Sequence, residues 1–179
     1  MNKKILGVLV CLFTLALLTI PVLGVPATKI EGVTFTGENI ERVTSSVRTF
    51  GNIRISKGTT TGDVYLTIPT IGTLEGDWHS EPVAKTTFTA PATDPPATDP
   101  DAKVAIRGKV VWTFSGEGTT GTFEGVLHQY YIGYPPVYGV FSSYQYTRMV
   151  LQGTGDFRGQ TLKLSWEGPT PDGYLIMPK

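Results

Sequence analysis

Cysteine is nearly absent from this chain. Among 179 residues the one example is Cys11, inside an apolar N-terminal run. With that run removed, no disulfide, thiol nucleophile or thiolate metal site can be built. A disulfide-framed toxin or growth factor is thereby excluded. Charge is sparse and balanced, Lys+Arg and Asp+Glu standing at 15 each. No basic stripe marks a nucleic-acid surface, and no nucleic-acid partner is expected. There is no Asn-x-Ser/Thr acceptor, no Gly-x-Ser-x-Gly elbow, no phosphate-cradling loop and no dinucleotide fingerprint. Convincing helical periodicity is also missing after residue 27. Ile40, Val43 and Val47 have helical spacing, but Thr44, Ser45 and Ser46 lie among them, and the segment reads as strand or irregular chain.

The first residues have the layout of an export signal. Lys3 and Lys4 precede an unbroken apolar run from Ile5 to Ile20, followed by Pro21 and small residues. Cleavage is expected after Ala27, at Val25-x-Ala27, with Val22-x-Gly24 as a second small-residue pattern. The alternative is an uncleaved anchor, since the apolar stretch is near the ~20 residues that span a bilayer. Cys11 follows Val10 and does not fit a lipid-attachment site. Residues 1–27 are thus read as signal peptide or membrane anchor, and 28–179 as one secreted or extracytoplasmic domain. Loss of Lys3 and Lys4 leaves that domain with 13 basic and 15 acidic residues.

What is abundant favours pleated structure: threonine, valine, tyrosine and glycine. Val33 and Phe35 alternate with threonines, as do Ile53 and Ile55 with Arg54 and Ser56. Lys57 to Gly62 is read as a turn, after which Val64, Leu66 and Ile68 resume the alternation. Further strands are expected at 73–79, 83–89, 103–114, 122–132, 140–151, 161–166 and 174–177. Val110, Trp112 and Phe114 point one way, and Gly116-Glu117-Gly118 turns the chain into the next strand. Residues 90–102 hold Pro-Ala-Thr-Asp-Pro twice and read as an exposed loop. A calcium loop on Asp94, Asp99 and Asp101 is the sharper alternative, but the acidic spacing and central glycine of such loops are missing.

The chain also repeats itself. Gly72-Thr73-Leu74-Glu75-Gly76-Asp77-Trp78-His79 aligns with Gly121-Thr122-Phe123-Glu124-Gly125-Val126-Leu127-His128, and Gly155-Asp156-Phe157-Arg158-Gly159 is a fainter third copy. The pattern Gly-x-apolar-x-Gly suits a strand with one bulky side chain on a face that its glycines otherwise leave open. Both histidines fall at equivalent points. Each lies four residues after a glutamate, hence on the same strand face but ~13 Å away, too far to share a metal. A metal would need Glu75 beside His128 and Glu124 beside His79, and no metal or cofactor is expected. The same four residues, His79, His128, Glu75 and Glu124, are the candidate catalytic groups, with Asp77 and Asp156 as further carboxylates. A solvated polar face explains them without chemistry.

Tyrosines crowd one hairpin: Tyr130, Tyr131, Tyr134, Tyr138, Tyr144 and Tyr146, with Phe141. Rings on a rigid β scaffold stack on sugars, flat ligands or proline-rich peptides, and the hydroxyls add hydrogen bonds. Cross-strand packing is the plainer account. Tyr134 and Tyr138, at the tip around Pro135 and Pro136, are least explained by packing. Tyr130, Tyr131, Tyr134 and Tyr138 are therefore the candidate ligand-binding residues.

At 72–79, 121–128 and 153–162 the glycine-punctuated strands resemble those of small exported barrels of the avidin and allene oxide cyclase type, the calycin-like class. The resemblance covers about half of the exported portion. It implies a closed antiparallel barrel of about eight strands. No biotin or cyclase residue matches. The expected fold is all-β, a single antiparallel β-barrel of eight to ten strands, with a β-sandwich as alternative and a signal helix in front. The expected function is an exported binding module for a small apolar or flat molecule, a glycan or a peptide. A secreted hydrolase or isomerase and a structural cell-envelope protein are the alternatives. Any membrane contact would come through the N-terminal segment.

Overall fold

A computed structural model of the chain describes residues 27–93, 98–116, 118–134, 145–167 and 172–178. The expected signal helix lies outside them. The alternation of threonine, valine and aromatic residues becomes strand almost throughout. The elements are β1 (Thr28–Glu31), β2 (Thr34–Phe50), β3 (Ile53–Ile68), β4 (Gly72–Thr87), β5 (Asp99–Gly116), β6 (Thr119–Tyr134), β7 (Gln145–Gly153), β8 (Thr161–Glu167) and β9 (Asp172–Met177). A 3-10 turn at Gly155–Phe157 sits between β7 and β8. All nine strands form one antiparallel sheet in the order β1-β9-β8-β7-β6-β5-β4-β3-β2. The all-β expectation holds, and the sheet is single rather than a sandwich.

The expected barrel does not close. The hydrogen-bonded ladder ends on β1 at one edge and β2 at the other. These edges are successive pieces of one segment, separated by Gly32 and Val33. Residues 28–31 pair with β9, and residues 34–50 pair with β3. Between them the Val33 amide donates to the Gly173 carbonyl at 3.0 Å, and Gly32 takes φ +73°. The segment passes from one edge to the other instead of bonding to both along the same length. The result is a sheet rolled on itself with staggered, unsealed edges.

Three local expectations are corrected. Lys57 to Gly62 does not turn: β3 runs straight through it, and the hairpin bends at Gly51 (φ +56°) and Asn52 instead. Gly58 and Gly62 serve a different purpose. They lie beneath two bulges of β2, at 38–41 and 44–46, and a Cβ at Gly58 would strike the Val43 carbonyl. Asn39 takes φ +49° in the first bulge and donates from Nδ2 to Asp63. The expected strands at 73–79 and 83–89 are one strand, β4. The third copy of the repeat is the 3-10 turn, whose Phe157 still enters the core.

Register sorts the side chains onto two faces. The inner face carries Val64, Leu66, Val110, Trp112, Phe114, Phe123, Leu127, Met149, Leu151, Leu162, Leu164 and Leu175, all in one buried cluster with Val33 and Phe157. Trp112 packs against Phe35 and Trp78, with ring centroids 5.0 and 5.7 Å away. Phe123 stacks on Phe157 at 4.7 Å. Each such ring buried contributes about 1.5–3 kcal/mol. The two repeats share this phase. Leu74 and Phe123 face inward, and the backbone closes over Gly76 and Gly125.

Candidate functional site

The glutamate and histidine of each repeat project outward, as their even spacing from the inward residues requires. They do not converge. His79 lies level with Val111, and His128 level with Arg107, about 13 Å apart along the strands and a further two strand spacings, about 10 Å, across them. Glu124 shares a row with His79, but Val111 stands between them. Glu75 stands opposite Tyr65, near the other end of β4, and its charge pushes the Tyr65 phenol upward. The nearest charged groups are other ones: Glu81 lies 3.8 Å from His79, and Lys109 lies 3.4 Å from Glu124. Both pairs are solvent-exposed and worth little. Among the described residues no group of three His, Cys, Asp or Glu side chains could hold a metal.

Of the four candidate tyrosines, Tyr138 lies outside the described residues. Tyr131 is buried on the inner face with Val104 and Ile106. Tyr134 is half-buried, its ring edge-on to Phe88 with centroids 5.2 Å apart. Tyr130 differs from both. It projects from the outer face, in register with Ala105 on β5 and Tyr146 on β7.

Around Tyr130 two parallel rows cross the sheet. One runs Lys85, Ala105, Tyr130, Tyr146. The next, two residues along, runs Val83, Arg107, His128, Arg148. Successive same-face residues are ~7 Å apart along a strand, and neighbouring strands ~5 Å apart. The small Ala105 between Lys85 and Tyr130 leaves an open depression of about 660 Å³, lined mainly by carbon. Lys85, Arg107, His128 and Arg148 are all exposed around it. The surface continues past Tyr146 and Arg148 to Lys163 and Tyr174. Lys163 Nζ lies 5.7 Å from the Tyr174 ring centre and Lys29 Nζ 4.3 Å. The arrangement offers an aromatic and apolar floor beside the cations Lys85, Arg107 and Arg148, whereas Lys29 is already paired with Glu31 at 2.7 Å and the Tyr146 row runs on to Glu167 of β8.

Lys85, Ala105, Arg107, Tyr146 and Arg148 were not candidates from sequence. Part of the site was nonetheless readable. The turn at Gly116–Gly118 alone sets Arg107 opposite His128 and Ala105 opposite Tyr130. The register of β6 with β7 carries no such marker, because the connection between them holds several glycines and prolines at which the chain could turn.

Two acidic features sit elsewhere. Asp63 and Asp77 stand directly opposite each other beside a polar cleft that Glu75 also lines. The Pro/Thr/Asp segment, expected as an exposed loop over 90–102, gives way to β5 at Asp99, with Ala102 already buried, and there the Asp99 carboxylate accepts the Thr89 amide at 2.8 Å, the Thr89 hydroxyl at 2.9 Å and the Asp101 amide at 3.0 Å. These bonds, the Thr89 amide foremost, hold its carboxyl below the usual carboxylate value. Asp99 therefore ties the two ends of the loop together. Comparison with protein-family models, curated proteins and solved structures finds no match to this chain.

Proposed function

We propose that this chain is an exported binding module without chemistry of its own, which takes an acidic polysaccharide on the outer face of its sheet. The observation that carries this reading is the pair of rows on β4–β7, where Tyr130 and Tyr146 lie beside Arg107, His128, Arg148 and Lys85. Tyrosine faces stack on the apolar faces of pyranose rings, and guanidinium groups form paired hydrogen bonds with carboxylates or sulfates. A shallow, open surface suits a chain passing across it better than a small molecule enclosed in a pocket. Export rests on Lys3, Lys4 and the apolar run behind them. The likeness to avidin-type barrels adds no ligand residue to this reading. A hydrolase reading finds no support in two histidines held about 13 Å apart along the strands.

Titration of the protein with polygalacturonate, a neutral glucan of similar length and a single-stranded oligonucleotide tests the proposal. The polyuronate should bind, and affinity should fall as salt rises, because exposed charges are screened. Arg107→Ala and Arg148→Ala should each weaken binding and flatten its salt dependence while the circular dichroism spectrum stays the same. Equal affinity for the neutral glucan, or a clear preference for the oligonucleotide, would overturn the assignment.

A further inference from the structure

The β2 edge of the sheet is open over an unusual length. All but Phe35 of its 17 residues are exposed, and among the described residues β3 is its one neighbouring strand. Ile40, Val43, Val47 and Phe50 are among the large apolar side chains that remain exposed, Val43 at 65% and Phe50 at 60%. Unpaired strand edges of this kind recruit another strand unless something prevents it. The devices that usually blunt an edge are present: charges at Glu41, Arg42 and Arg48, and the two bulges. They have a second consequence. A strand pairs antiparallel with its own copy only where opposed residues project to the same face. The bulge at 44–46 shifts the phase by one residue. Glu41 and Arg48 consequently share the outer face, through their partners Thr61 and Ile55, although they are an odd number of positions apart in sequence.

We infer that two copies of this chain pair antiparallel through β2, about a two-fold axis between Thr44 and Ser45. In that register Glu41 stands opposite the partner's Arg48, and by symmetry Arg48 stands opposite the partner's Glu41. Arg42 lies across from Val47, Val43 from Ser46, and Ile40 from Thr49, each pair on a common face. A slip of two residues either way sets Glu41 against Ser46 or Phe50 and loses both ion pairs. Among the described residues neither Glu41 nor Arg48 is already engaged in an ion pair. The charges and bulge thus disfavour indiscriminate pairing and leave one register satisfied. The dimer is a continuous sheet of twice nine strands, with the outer faces of both copies on the same side.

Sedimentation velocity of the full chain in mild detergent, from about 1 to about 100 μM, tests this. A concentration-dependent dimer is expected. Glu41→Arg and Arg48→Glu should each weaken it about tenfold or more, since each puts two like-charged pairs across the seam. The double swap should restore it. Association through the N-terminal apolar run would ignore all three variants. In a Cys11→Ser background, oxidation of mixed Val43→Cys and Ser46→Cys proteins should give a disulfide-linked dimer that Val43→Cys alone does not. A monomer at every concentration, a dimer indifferent to the single swaps, a double swap as weak as the singles, or no mixed disulfide would each overturn the inference.

Discussion

Tyr130 on β6 stands directly across from Tyr146 on β7, on the outer face of the sheet. One residue further along, Tyr131 faces the opposite way and is buried with Val104 and Ile106. Adjacent tyrosines thus have different duties, and substitution separates them.

Tyr130→Ala and Tyr146→Ala should each weaken polyuronate binding by about 0.5–1.5 kcal/mol, roughly two- to twelvefold, and should lower the melting temperature only slightly, because each ring is half-buried and opposes the other across the strands. Tyr134→Ala should do the reverse. It removes the ring packed on Phe88 and should lower stability while leaving affinity in place. Calorimetric titration beside thermal melts reads both effects. A Tyr134→Ala protein that melts normally but no longer binds would move the site to the hairpin tip.

The close approach at Gly125 should tolerate no side chain. A Cβ there would collide with the Val150 carbonyl, which is backbone of the neighbouring strand and cannot step aside. Gly125→Ala should cost about 1–3 kcal/mol in chemical denaturation. Gly116→Ala, where nothing lies within 4 Å of the added carbon, is the matched control and should be nearly neutral.

In the core, Phe123→Ala should cost about 3–5 kcal/mol, because Phe123 is fully buried between Phe114 and Phe157. Trp112→Phe should cost much less than Trp112→Ala. The shorter ring keeps the contact with Phe35. It also removes an indole N–H that is buried without an acceptor among the described residues. Denaturant midpoints of the three proteins check the order.

Asp99 sets an acid limit for the proline loop. Its folded value lies below the ordinary 3.8, and the Thr89 amide is the largest cause. A depressed carboxylate supports the fold fully above its unfolded value, and that support is lost as pH falls through the folded one. The loop anchor should therefore persist at pH 4 and release only under stronger acid. A carboxyl-carbon NMR titration of Asp99 should have its midpoint below 3.8, moving upward in Thr89→Ala. A midpoint at or above 3.8 in the unmodified protein would contradict the hydrogen-bonded arrangement.

Much of the fold was legible residue by residue. Alternation put Val110, Trp112 and Phe114 on one common face, which proved to be the core, and the repeat gave Leu74 and Phe123 equivalent places, which proved to face inward. The glycine turn at 116–118 fixed the longest hairpin. Gly58 and Gly62 were misread, because glycine marks a turn and a close approach with the same letter. Only the bulged partner strand distinguishes the two. The site was half visible for a similar reason. Tyr130 stood out by its neighbours in sequence, whereas Lys85 and Arg148 belong to it through pairing across three strands.

By itself, then, the order of residues determined which side chains share a face between bulges, since a pleated chain alternates with period two wherever its pairing is unbroken. Tertiary structure decided which strands stand side by side, how far each slides against the next, and that the rolled sheet stops short of sealing. Those outcomes depend on bulges and hairpin lengths accumulated over the whole sheet, and a one-residue change in any of them reassigns every row beyond it.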